Sequence, residues 1–133
     1  MASVFTKIIE GDLPGRFVHR DDRCVAFLSI APLQPGHTLV VPIEEIDHWI
    51  DAPPDLNAHL MGVAQRIAVA QQEVFAPTKV GLMIAGLEVP HLHIHVVPIR
   101  GVHDLDFSNA DTDPDPAALD DAAARLVAAL GGG

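Results

Sequence analysis

The segment Pro90-His91-Leu92-His93-Ile94-His95-Val96-Val97-Pro98 decides how this chain is read. Side chains on a strand alternate between faces, so His91, His93 and His95 share one face while Leu92, Ile94 and Val96 share the other. Neighbouring imidazoles would then lie about 7 Å apart, two residues at roughly 3.3 Å each. The apolar face calls for a partner, and a long helix supplies one. Leu56, Leu60, Val63, Ile67, Ala70 and Val74 recur in steps of three and four, which makes a single apolar stripe. Asp51 or Asp55 is the expected cap of that helix, and Ala76-Pro77 ends it.

Outward from there, the spacing of Phe5, Ile8 and Ile9 predicts a short opening helix. Extended stretches follow at 16–20 and 24–30, divided by the turn signal Asp21-Asp22. Residues 31–36 hold two prolines and a glycine and must be a loop. Residues 37–42 (HTLVVP) read as a buried strand, 43–49 as a short helical turn, 80–85 as a strand and 91–99 as another. The segment 101–116 is loop-like, and 117–130 forms an alanine-rich helix before a fraying Gly131-Gly132-Gly133 end. Strands joined by short connections around one long helix predict an antiparallel α+β fold. The expected organisation is one domain over 1–133, with its core at about 4–100 and an acidic loop and helix at 101–133.

Composition narrows the function. Hydrophobic residues make up 49% and charged residues 20%, the balance of a folded globular chain. The formal net charge of −10 argues against broad capture of DNA or RNA. No apolar run approaches the roughly 20 residues that span a bilayer, and the first 15 residues do not resemble a signal peptide. The expectation is a soluble cytoplasmic protein with no membrane partner. Cys24, the sole cysteine, rules out an internal disulfide and reads as a small core residue.

Three readings of the histidine strand stay open on spacing alone. A neutral imidazole is a nucleophile towards phosphorus, available near neutral pH because its ordinary pKa is about 6.5. A hydrogen bond to its other nitrogen would aim the lone pair, and neighbouring rings could donate to phosphate oxygens. Alternatively, His-x-His on a strand can hold zinc or another transition metal. The third reading is an inert polar face.

His91-Leu92-His93-Ile94-His95-Val96-Val97 matches the histidine-triad (HIT) signature at every position. Residues 5–14 (FTKIIEGDLP), Asp21-Asp22 with Val25-Ala26-Phe27, and residues 35–42 (PGHTLVVP) also resemble that family, so the likeness runs from about Phe5 to Pro98. It implies a HIT-like fold: a five-stranded antiparallel sheet with one long and one shorter helix, usually paired as a homodimer. It further implies a nucleotide or nucleotide-conjugate substrate and nucleotidyl hydrolase or transferase chemistry with no metal or cofactor. By the family pattern His93 attacks the α-phosphate and its ring is oriented by the main-chain carbonyl of His91. His95 contacts the phosphate, and His37 stands behind the triad. By the same analogy Leu28 and Ile30 line a base pocket, and core packing is an equally good account of both.

The chain departs from that pattern just before the triad. Gly86-Leu87-Glu88-Val89-Pro90 is short. Leu87 stands where glutamine is common, Glu88 where a hydroxyl is common, and Ala85 where asparagine is expected. Ser29 occupies the place of an aspartate that binds ribose hydroxyls, and Ile43-Glu44-Glu45 replaces a basic segment. Glu88 has three readings: facing solvent or pairing with Arg100, serving as an acid on the leaving group, or opposing an anionic phosphate.

Overall fold

The computed structural model describes residues 2–131; the expected fraying at Gly132 and Gly133 lies outside them. The element order is α1 (Val4–Ile9), β1 (Phe17–Arg20), β2 (Cys24–Leu28), β3 (Thr38–Pro42), α2 (Pro54–Phe75), β4 (Lys79–Met83), β5 (Ile94–Ile99) and α3 (Pro116–Ala129). The five strands form one sheet in the order β1-β2-β3-β5-β4, with every neighbouring pair antiparallel. The expected α+β class and strand number are therefore found.

The sheet separates two apolar clusters. On one face Cys24, Ala26, Val40, Leu92, Ile94 and Val96 pack against Leu56, Leu60, Val63, Ile67 and Ala70 of α2, with Leu119, Ala122 and Leu126 of α3 completing the layer. On the other face Val25, Phe27, Leu39 and Val41 pack against Phe5 of α1. The period-two alternation of β2 and β5 thus resolves into two buried faces rather than one buried and one wet. No helix among the described residues is long and apolar enough to cross a membrane.

Several boundaries differ from the sequence reading for identifiable reasons. The α2 helix begins on Pro54 after Pro53, whose fixed φ suits a first helical turn, so neither Asp51 nor Asp55 caps it. Asp55 instead pairs with Arg23 at 2.9 Å. Ala76 ends the helix in the left-handed conformation. The last strand begins only at Ile94, because the Leu92 N–H donates to the Ile46 carbonyl and the His91 N–H to that of Val89.

Leu60 is fully buried at the centre of the stripe. Truncation in Leu60→Ala is expected to cost about 2–5 kcal/mol by removing buried methyl groups and leaving a cavity. Urea unfolding should show a lower midpoint at unchanged slope; a midpoint shift worth less than about 1 kcal/mol would mean that α2 is not the clamp on this layer.

Candidate active site

Four histidines converge as two hydrogen-bonded pairs, His93 with the His91 carbonyl and His37 with His95, whose tautomers are set by the backbone. His93 Nδ1–H donates to the His91 carbonyl at 2.7 Å, which leaves the Nε2 lone pair of His93 free. The Leu33 N–H donates to His37 Nδ1 at 3.0 Å, so His37 carries its hydrogen on Nε2. That Nε2–H donates to His95 Nδ1 at 2.9 Å, and the hydrogen of neutral His95 therefore sits on Nε2. One ring offers a lone pair and its neighbour a donor. The His93 and His95 ring centroids lie 4.8 Å apart, closer than strand spacing alone suggests, because the rings lean together edge to face.

His91 serves differently. Its Nε2–H donates to the Pro42 carbonyl at 2.7 Å, while its Nδ1 accepts from the Ser3 hydroxyl at 2.6 Å. Ser3 also caps α1 by accepting the Thr6 N–H. The Glu45 carboxylate then accepts from the Ser3 N–H and from the Thr6 hydroxyl. Those bonds, the backbone one first, hold the Glu45 carboxyl down at about 2. The first histidine is fully buried with both nitrogens engaged, and what it presents to His93 is its carbonyl.

Burial disfavours the charged form of all four rings. It lowers His37 to about 3 and His95 to about 4, with further depression from neighbouring rings. Burial also lowers His91 and His93, and for His93 the His91 carbonyl and the Glu88 charge oppose the shift. Of the three triad rings only His93 and His95 present a nitrogen to the pocket, because both nitrogens of His91 are engaged by Ser3 and by the Pro42 carbonyl.

His37, His93 and His95 line a pocket of about 640 Å³ together with Leu28, Ser29, Ile30 and Glu88. Its remaining walls are largely apolar, from Val4, Phe5 and Ile8 of α1 and from Phe27 and Leu39 of the sheet. Leu87 is 92% exposed and lies outside the lining, because the short turn points it to solvent. Among the described residues Glu88 forms no ion pair with Arg100; it sits on the pocket rim. His91 lies behind the pocket rather than in it.

Two walls were not visible in the sequence. The Phe5 ring meets His93 at 4.9 Å between centroids, and Phe107 meets His95 at 5.0 Å, both edge to face. Phe107, Ala110 and Thr112 come from the acidic segment after Gly101, which folds back as two 3-10 turns, Val102–Leu105 and Phe107–Asn109. Buried Asp104 anchors that return by accepting from the Arg100 N–H and from Gln34 Nε2. A lone phenylalanine amid aspartates was the available signal.

Gly36 delivers His37 to the cluster. Its φ is +88°, and a Cβ there would collide with the Phe75 ring. Gln71 ties the loop down by donating to the carbonyls of Gly36 and Val96, each at 2.9 Å.

A model of the HIT domain matches residues 10–102. The protein Hit of Bacillus subtilis is 33% identical over 106 residues, covering 76% of this chain and 73% of that one. An uncharacterized HIT-like protein of Methanocaldococcus jannaschii is 35% identical over 99 residues, 71% of this chain and 77% of that one. Among solved structures, a zinc-bound histidine triad family protein from Mycobacterium smegmatis superposes with a TM-score of 0.83 at 34% identity, covering 98% and 94% of the two chains. A hypothetical histidine triad nucleotide-binding protein from Sulfolobus tokodaii gives 0.83 at 25% identity, covering 95% and 90%.

Proposed function

Because the chain belongs to the HIT family, we propose that it hydrolyses or transfers the nucleotidyl group of a nucleotide conjugate through a covalent intermediate on His93. The observation that carries this reading is the pairing of a free Nε2 lone pair on His93 with an Nε2–H on His95, both facing one pocket. In the first step His93 Nε2 forms a bond to the α-phosphorus, and the leaving oxygen or nitrogen departs with the electron pair of its broken bond, an amine taking up a proton from solvent as it goes. The ring becomes cationic, and the His91 carbonyl, accepting from Nδ1–H, stabilises that charge. His95 donates from Nε2–H to the phosphate as charge develops. In the second step water attacks phosphorus and gives up a proton to solvent, the P–N bond breaks, and His93 recovers its lone pair as the nucleotide leaves.

The apolar walls suit a base and ribose, with exposed Ile30 beside the base and Ser29 near the sugar, while Leu28 is committed to the core layer under α2. Glu88 favours the cationic state of His93 while opposing an anionic phosphate, so the best substrates are conjugates with reduced charge at the α-phosphate. The Sulfolobus relative's nucleotide-binding description supports a nucleotide as partner. Edge strand β4 leaves Leu82 exposed, and Ile84 just after it is exposed too, which fits pairing with a second copy of the chain.

One observation favours a second reading, nucleotide binding without turnover: the pocket lining contains no lysine or arginine. Steady-state assays with adenosine phosphoramidate and related 5′-nucleotide conjugates separate the two. Release of the 5′-mononucleotide, with a transient nucleotidyl adduct by intact mass, is the expected result. Saturable binding of the same compounds with neither adduct nor product would establish the second reading.

A further inference from the structure

On the face of the sheet opposite the triad, three elements and one turn bring His19, Asp21, Cys24 and His59 near one another. His19 comes from β1, Asp21 from the hairpin turn, Cys24 from the first position of β2 and His59 from α2. His19 Nε2 lies 2.7 Å from Asp21 Oδ2, His59 Nε2 lies 2.8 Å from the same oxygen, and Cys24 Sγ lies 3.5 Å from it. The donor atoms of His19, Asp21 and Cys24 all fall within 4.8 Å of one another, and His59 Nε2 stands just outside that set, joined to it through Asp21 Oδ2. Asp21 Oδ1 is held independently, accepting the N–H groups of Arg23 and Cys24, each at 2.8 Å. Orientation of a carboxylate through its second oxygen is the support that metal ligands ordinarily receive.

From this convergence we propose that His19, Asp21, Cys24 and His59 form a site for one divalent transition-metal ion, zinc by donor type. The set of two imidazoles, one carboxylate and one thiolate suits tetrahedral zinc. Bonds of about 2.3 Å to sulfur and about 2.0 Å to oxygen place those two atoms about 3.5 Å apart in a tetrahedron, which is the Cys24–Asp21 separation found here. The two nitrogen–oxygen separations must open by about half an ångström and the His59 ring must swing in towards the other donors, shifts within side-chain reach for partly exposed rings. The pairing of β1 with β2 breaks register between Phe17 and His19, an irregularity of the kind that re-aims a side chain.

Binding balances simply. The Cys24 thiol releases one proton to solvent, and each imidazole moves its hydrogen from Nε2 to Nδ1. The ion's role is to staple the β1–β2 hairpin to α2. This inference does not depend on the nucleotidyl reading, since none of its residues lines the active-site pocket.

The test uses untagged full-length protein stripped with a chelator and then titrated with Zn2+ or Co2+. One equivalent is expected to bind, raising the melting temperature by roughly 5–10 °C at a hundredfold excess over Kd. Co2+ should show tetrahedral d–d absorption and a thiolate charge-transfer band. His59→Gln keeps a donor towards Asp21 but should weaken binding by at least about 100-fold; Cys24→Ser should lose the charge-transfer band. His93→Ala should bind the ion unchanged. Absence of a stoichiometric ion, or full affinity in His59→Gln, would overturn the site. Loss of binding in His93→Ala would place the ion at the triad instead, and cobalt bound without a thiolate band would remove Cys24 from the ligand set.

Discussion

His93→Ala is expected to lose the nucleotidyl adduct altogether and to lower kcat/KM by at least about 10³-fold, because no other group can take the place of its lone pair. His95 Nε2 bears a hydrogen imposed by His37, and both nitrogens of His91 are engaged. His93→Gln is the better control for packing, since Phe5 lies against the ring and alanine would open a void there. Glutamine can still donate to the His91 carbonyl, so its stability should stay near wild type while its activity matches the alanine variant. His95→Phe tests the second half of the pair. It removes one donor to the phosphate and should cost about 10²–10³ in kcat, with the adduct still forming on His93, more slowly. Intact-protein mass spectrometry in rapid-mix experiments reads both outcomes. An adduct that survives in His93→Gln, or turnover within tenfold of wild type, would place the nucleophile elsewhere.

Much of this arrangement was legible in the sequence because it is periodic. Alternation set His93 and His95 on one face and Ile94 and Val96 on the other, and the steps of the long helix supplied the layer that covers them. What alternation could not reveal is that His91 leaves the strand. Two local carbonyls, those of Val89 and Ile46, capture the N–H groups of His91 and Leu92, so regular pairing starts only at Ile94. The first histidine turns into the core, where Ser3 and Pro42 meet it from 88 and 49 residues away. Contacts over such separations carry no period. For the same reason Phe5 and Phe107 were not visible as walls, and neither His19 nor His59, read singly, disclosed its shared partner Asp21. Leu87 shows the converse: analogy with a longer turn placed it near substrate, whereas the shortened connection leaves it in solvent.

The buried rings also make stability depend on pH, with a sign that follows from their depressed values. His37 is held at about 3 and His95 at about 4, against an ordinary value near 6.5 in the unfolded chain. Between those limits the unfolded chain binds more protons than the folded one, so stability falls as pH falls. Above pH 6.5 both states hold neutral rings and the effect vanishes. By pH 4 the two rings together should cost on the order of 5 kcal/mol, comparable to the whole stability of many domains of this size. Urea midpoints measured at pH 7, 6, 5 and 4 should therefore drop steeply at the acid end. His37→Phe removes one titrating ring and should flatten that drop, though it begins from a less stable protein, because the Leu33 N–H loses its acceptor. Parallel pH curves for the two proteins would mean that His37 takes up its proton in the folded state as readily as in the unfolded one. Activity should follow a related logic. Burial lowers His93 as well, which keeps its Nε2 unprotonated below pH 6.5, so the acid limb of kcat/KM should lie beneath that value.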